Sequence, residues 1–168
     1  MSSKHHYIAV IDFGSQFAHL IARRIRQHGV LAKIFLPDVN PADYADCSGI
    51  ILSGGPKSTI AEDAVSYDHR LFESKVPILG LCYGHQLIAL HFGGTVAKGK
   101  TKEYGQADLA IKKSDPIFHA LDKKQRVWMS HWDVVTKIPA GFEVIGSTID
   151  CPIAAMRNVA KRIWSFQF

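Results

Sequence analysis

Apolar residues in this chain follow two regimes that change at Gly93-Gly94. Before that point they gather in short continuous runs: Tyr7–Ile11, 31–36, Gly49–Leu52 and 76–81. Runs of this length without alternation are what strands buried on both faces require. Between the first two runs, Phe17, Leu20, Ile21 and Ile25 recur at helical spacing, with Ser15 placed to cap the start and Gly29 the end. Residues 86–92 read as the start of a second helix after the fourth run. Helical intervals supply the crossovers that parallel strands need. The first half thus predicts an α/β domain: a mostly parallel central sheet with helices on both faces and sites at the C-terminal strand ends.

Past Gly93-Gly94 the apolar runs shorten and partly alternate, at 107–111, 127–129, 142–147, 153–156 and 163–168. These predict strands, some antiparallel, that extend the sheet or form a small flanking antiparallel one. No internal repeat or low-complexity linker interrupts the pattern, and 168 residues suit one domain, 1–168.

Composition changes this picture little. A hydrophobic share of 47% and a charged share of 21% describe a globular chain able to bury a core without disulfides or metal. No apolar run is long enough to cross a bilayer, and the N-terminus leads into the first strand with no signal-peptide pattern, so a cytoplasmic protein is expected. The three cysteines, Cys47, Cys82 and Cys151, form no close metal-type pair and are odd in number, which predicts reduced thiols. The nine histidines are scattered without ligand spacing, and no metal is expected. The net charge of +5 is spread over Arg23-Arg24, Arg26, 98–102, Lys112-Lys113, Lys123-Lys124 and Arg126. That is not the continuous basic stripe of a nucleic-acid binder; solvated faces or docking to another protein domain account for it.

The chemistry concentrates at Gly80-Leu81-Cys82-Tyr83-Gly84-His85-Gln86, where a cysteine sits between two close glycines at the junction of a strand and a helix. This is nucleophile-elbow spacing, in which a sharp turn strains the nucleophile's backbone and small residues at positions minus two and plus two make room. The following helix end would favour thiolate and stabilise an oxyanion. An ordinary buried core thiol is the competing reading, which the Gly-x-Cys-x-Gly context disfavours. The loop Ser53-Gly54-Gly55-Pro56-Lys57-Ser58 leaves the third strand and is expected on the same sheet edge.

Five stretches carry a family resemblance: Ile11-Asp12-Phe13-Gly14-Ser15-Gln16, Ile50 through Pro56, Gly80 through Gln86, Trp128-Met129-Ser130-His131, and Trp164-Ser165-Phe166-Gln167-Phe168. Together the chain resembles a class I, triad-type glutamine amidotransferase domain with a flavodoxin-like fold. The first and fourth stretches point to the branch found at the N-terminus of glutamine-hydrolysing GMP synthetases. The resemblance implies Cys82 as nucleophile, the backbone N–H groups of Gly55 and Tyr83 as oxyanion hole, and Gln86, Ser130, His131 and Asp133 as residues that bind L-glutamine. It implies no cofactor in this domain. ATP and magnesium would belong to an ATP-pyrophosphatase synthetase domain, in cis or in trans, which uses the ammonia to convert XMP to GMP and through which a homodimer could form.

Two departures stand out. The family loop reads Ser-His-Gly-Asp, whereas this chain has Ser130-His131-Trp132-Asp133. The family's catalytic His-Pro-Glu follows the Phe-Gln-Phe strand, and this sequence stops at Phe168, so a C-terminally incomplete domain is expected, inactive as given because the catalytic His and Glu are missing. Of the resident histidines, His85, His91 and His131 are nearest in sequence logic, but none has an identifiable carboxylate to orient it. The alternatives are a class I amidotransferase of another pathway, a catalytically inactive binding or regulatory module, and another cysteine hydrolase on the same fold.

Overall fold

A computed structural model describes residues 6–168, and for Lys100 and Thr101 the backbone alone. The stretch 1–5, part of the region read as lacking a signal peptide, lies outside the described residues. The elements run β1 (Tyr7–Ile11), α1 (Phe17–Gln27), β2 (Leu31–Phe35), β3 (Gly49–Leu52), β4 (Ile78–Leu81), α2 (Tyr83–His91), β5 (Thr95–Ile111), β6 (Lys124–Lys137), β7 (Glu143–Ser147), β8 (Ala155–Asn158) and β9 (Ile163–Phe166). The nine strands of the described residues form one sheet in the order β2-β1-β3-β4-β9-β8-β7-β5-β6. The first five positions are parallel; from β9 onward each neighbour is antiparallel. The antiparallel part is continuous with the central sheet.

The continuous apolar runs became central strands because both faces of that sheet are covered. One face packs Tyr7, Ile11, Leu52, Ile78, Leu87 and Ile88 into the main core, with α2 against it. On the other, Ala18 and Ala22 of α1 lie on Val10 and Ala32. The apolar period in α1 misleads in one respect: Ile21 and Ile25 pack against the sheet as it predicts, but Phe17 and Leu20 are about half exposed, and the fully buried contacts are two alanines whose small side chains let the helix lie close to the sheet. The helix ends as expected. Gly29, at φ +75°, lets its N–H reach Arg26 O and that of Val30 reach Ile25 O. At the start, Gln16 occupies the cap position, while the Ser15 hydroxyl accepts from Phe17 N–H.

Two of the crossovers are not α-helical. The β2–β3 and β3–β4 connections contain 3-10 turns at Pro41–Tyr44 and His69–Glu73, initiated by Asn40 and Asp68 side chains that accept backbone N–H groups. The largest departure from the sequence pattern is β5. Its segment 98–102, expected as a solvated face or loop, lies within the strand: Lys98 pairs with Asp133 of β6, and 99–102 form a break in register before pairing resumes at Glu103. No helix of the described residues is long and apolar enough to cross a membrane.

Candidate active site

Strand β4 ends at Leu81 and α2 begins at Tyr83, leaving Cys82 alone to make the turn. It does so at φ +50° and ψ −100°, a conformation that costs an L-residue about 1–3 kcal/mol and persists where the surroundings enforce it. Those surroundings are tight. A Cβ on Gly80 would stand 2.5 Å from Ile88 Cδ1, and one on Gly84 would stand 2.6 Å from both Leu52 Cβ and Leu52 O. The glycines are needed for space, since strand and helix approach too closely for any side chain between them. Backbone bonds pin the bend on both sides: Cys82 N–H donates to Phe166 O at 2.8 Å, and Gly84 N–H to Ser53 O at 3.2 Å.

Ser53, wholly buried at the end of β3, ties three loops together. Its hydroxyl accepts from Phe13 N–H and donates to Gly54 O, and its carbonyl receives the elbow's Gly84. The Phe13 ring packs on Tyr83 with centroids 5.1 Å apart. The Gly-Gly-Pro loop consequently lies against the elbow: a Cβ on Gly54 would be 3.7 Å from Cys82 Cβ, and one on Gly55 would press Phe13 O at 2.9 Å. The convergence of the two loops expected from their strands is what the fold produces.

A cavity of about 360 Å³ opens at this convergence, walled by Gly55, Ser58, Cys82, Ser130, Trp132 and Asp133 among others. Half-buried Cys82 has its Sγ 3.9 Å from Ser130 O and 3.7 Å from Gln167 Nε2. Gln86 is buried in the wall, but both of its N–H groups already donate, to Asp133 O at 2.8 Å and Gln167 Oε1 at 3.4 Å, and its Oε1 accepts from Thr59. Its side chain braces the loops. Asp133 is held by a short hydrogen bond from the Ser58 hydroxyl. Trp132 is half exposed on the cavity rim with the Lys102 ammonium 3.9 Å above its ring.

Burial raises the Cys82 thiol above its ordinary range, partly offset by the Tyr83 N–H and the Gln167 amide. The expectation of a thiol acidified by the helix end is corrected here, because desolvation outweighs these donors. The candidate histidines are otherwise engaged. His85 is fully buried, with Nδ1 2.9 Å from the Ser165 hydroxyl and Nε2 2.9 Å from Ile153 O; burial lowers it to about 4, so it is neutral. His91 stacks on Phe72 with centroids 4.1 Å apart. His131 does have a carboxylate, contrary to expectation: its Nε2 lies 2.9 Å from Glu103 Oε2. Burial nonetheless lowers its pKa, Glu103 opposing.

Among the expected site residues, the fold gathers Gly55, Cys82, Tyr83, Gln86, Ser130, His131 and Asp133 around one cavity. Gln167, Ser58 and Ser53 belong to stretches the sequence marks, but their individual roles emerge only from the fold. Gln167 reaches the sulfur because β9 pairs in parallel with β4, which sets the residues following each strand side by side.

The family model for "Glutamine amidotransferase class-I" matches residues 9–168. A GMP synthase [glutamine-hydrolyzing] of Campylobacter jejuni is 47% identical over 96% of this chain and 32% of its own length. One from Bacillus cereus is 43% identical over 100% of this chain and 33% of its own. The chain thus spans about a third of the length of these curated relatives. The crystal structure of a protein described as a GMP synthase subunit from Thermoplasma acidophilum superimposes with a TM-score of 0.90 at 32% identity, covering 98% of this chain and 83% of that one.

Proposed function

The chain belongs to the class-I glutamine amidotransferase family, and we propose that it performs the glutaminase half of GMP synthesis. In this reading Cys82 Sγ attacks the side-chain amide carbon of L-glutamine, and the carbonyl oxygen takes negative charge against the Gly55 and Tyr83 N–H groups. Collapse of the tetrahedral intermediate expels ammonia, with the thiol proton transferred to the leaving nitrogen. A γ-glutamyl thioester remains, which water cleaves to glutamate. The ammonia then serves an ATP-pyrophosphatase synthetase domain that converts XMP to GMP in the cytoplasm, ATP and magnesium acting there.

The observation that carries this proposal is the strained Cys82, facing a cavity with the Gly-Gly-Pro loop packed beside it. In this reading Ser130, His131 and Asp133, which line the cavity, serve the amino acid end of glutamine, and Gln86 acts through its hydrogen bond to Asp133 O. Because the described contacts of Sγ are Ser130 O and Gln167, with no imidazole, residues 1–168 alone are expected to react with electrophiles yet turn over glutamine slowly. A glutamine-like chloroketone tests the site: one equivalent should add to the intact chain, excess glutamine should slow it, and Cys82→Ala should abolish it. Labelling unchanged in Cys82→Ala would remove the proposal. Labelling of Cys82 that glutamine does not slow would favour another cysteine hydrolase or an inactive module.

A further inference from the structure

Away from the sulfur of Cys82, the sheet gathers three metal-binding types of side chain in one place. Glu103 on β5 pairs directly with His131 on β6, and Cys151 reaches them from the β7–β8 loop. One donor atom from each lies within 4.8 Å of the other two. Cys151 is fully buried, the side chains of His131 and Glu103 are 2% and 10% exposed, and Leu109, Met129, Val134 and Ala154 enclose the cysteine.

Buried imidazole and carboxylate atoms are normally hydrogen-bonded, and an orphan signals a missing water or ion. Here both ring nitrogens of His131 and Oε2 of Glu103 lack a well-aligned hydrogen bond, their approaches to one another and to the Asp133 backbone notwithstanding. Nε2 and Oε2 are 2.9 Å apart, so the pair is close but misaligned. Glu103 Oε1, by contrast, is fixed: it accepts from the Thr148 hydroxyl at 3.2 Å, and that same hydroxyl accepts from Cys151 N–H at 2.9 Å. Thr148 therefore holds the carboxylate and the cysteine backbone together and leaves Oε2 directed at the histidine, as outer-shell partners of metal sites do.

We infer that Glu103, His131 and Cys151 bind one divalent transition-metal ion of the zinc class. Thiolate, imidazole and carboxylate together select zinc or cobalt over magnesium or calcium. Tetrahedral bonds of about 2.0–2.3 Å place ligand atoms roughly 3.3–3.6 Å apart, so the cluster closes by shifts of about 1 Å. As the sulfur–metal bond forms, the Cys151 proton leaves to solvent, and thiolate and carboxylate balance the two positive charges. The fourth position is left for water, which can enter through an adjoining cavity lined by Glu103, Thr148 and Ile149. The ion would fasten β5 to β6 beside the break in register, and so steady the strand whose Ser130 and Asp133 wall the Cys82 cavity. This role is structural and does not rest on the glutaminase proposal.

Titration of the intact, chelator-treated chain with cobalt(II) chloride tests the site. One equivalent should give a sulfur-to-cobalt charge-transfer band in the near ultraviolet and the visible bands of four-coordinate cobalt. Zinc should displace both and raise Tm. The band should persist in Cys82→Ala, vanish in Cys151→Ser, and require at least about tenfold more cobalt in Glu103→Gln, which preserves the side chain's shape. Absence of the band from folded wild-type chain, or a band that follows Cys82, would overturn the inference. Should Cys151→Ser fail to fold, unchanged cobalt affinity in Glu103→Gln would overturn it equally.

Discussion

Cys82 and Cys151 are the same side chain in two settings. Burial raises both thiols, Cys151 to about 12 with the Glu103 carboxylate adding to the effect. Cys82 differs in its backbone and its neighbours. It stands at φ +50° on a one-residue turn, opens onto a cavity, and has the Tyr83 N–H and the Gln167 amide to receive charge. Cys151 sits in an apolar wall with a carboxylate beside it. What makes one a candidate nucleophile is its presentation by the chain, more than any intrinsic acidity. Each thiol needs something further to ionise: a base and substrate for the first, a cation for the second.

The presentation can be broken directly. Gly84→Ala drives a Cβ into Leu52 at 2.6 Å, on backbone that cannot yield locally, and should cost about 3 kcal/mol of unfolding free energy, read as a lowered denaturant midpoint, while misplacing the sulfur. Unchanged stability and unchanged chloroketone labelling would show that the close approach does not hold the elbow. The electrostatic half of the contrast is sharpened by pH. With its pKa above the ordinary 9.0, Cys82 should be alkylated about tenfold faster per pH unit from pH 7 to 9, without a plateau, while Cys151 stays unreacted in the folded metal-free chain. A plateau near neutrality would mean that helix and amide donors overcome burial after all.

A smaller effect tests the bracket behind the elbow. His85 is neutral when folded, with its pKa lowered to about 4 from 6.5, so the unfolded chain binds more protons between those values. Stability should therefore be fully present above pH 6.5 and decline as pH falls towards 4. At pH 5 the loss from this group is about 2 kcal/mol, measurable in urea, and His85→Asn should abolish that part of the pH slope.

Legibility in sequence follows the same division. Strands β1 and β3 and the Gly-x-Cys-x-Gly elbow are local signals: runs buried on both faces, and two glycines whose need for space is written into their spacing. The same holds for Gly29, whose positive φ ends α1 in the expected place. The polar segment 98–102 shows no period because it is an irregularity inside a long strand whose pairing with β6 on either side, from Thr95 to Lys98 and from Glu103 on, local sequence does not encode. The role of Gln167 and the grouping of Glu103, His131 and Cys151 were invisible for a related reason. Their proximity depends on strand order and register, and donors distant in sequence leave no ligand spacing to read. The direction of the Cys82 shift is not legible in sequence, because a helix end can be seen there and desolvation cannot.

The most direct test is a crystal structure of the chain after reaction with the glutamine-like chloroketone. A bond from Cys82 Sγ to the ligand is expected, with the adduct's carbonyl oxygen within hydrogen-bond distance of the Gly55 and Tyr83 N–H groups and its amino acid end against Ser130 and Asp133. An adduct on another cysteine, or one whose oxygen turns away from both amides, would contradict the assignment of this elbow as the glutaminase site.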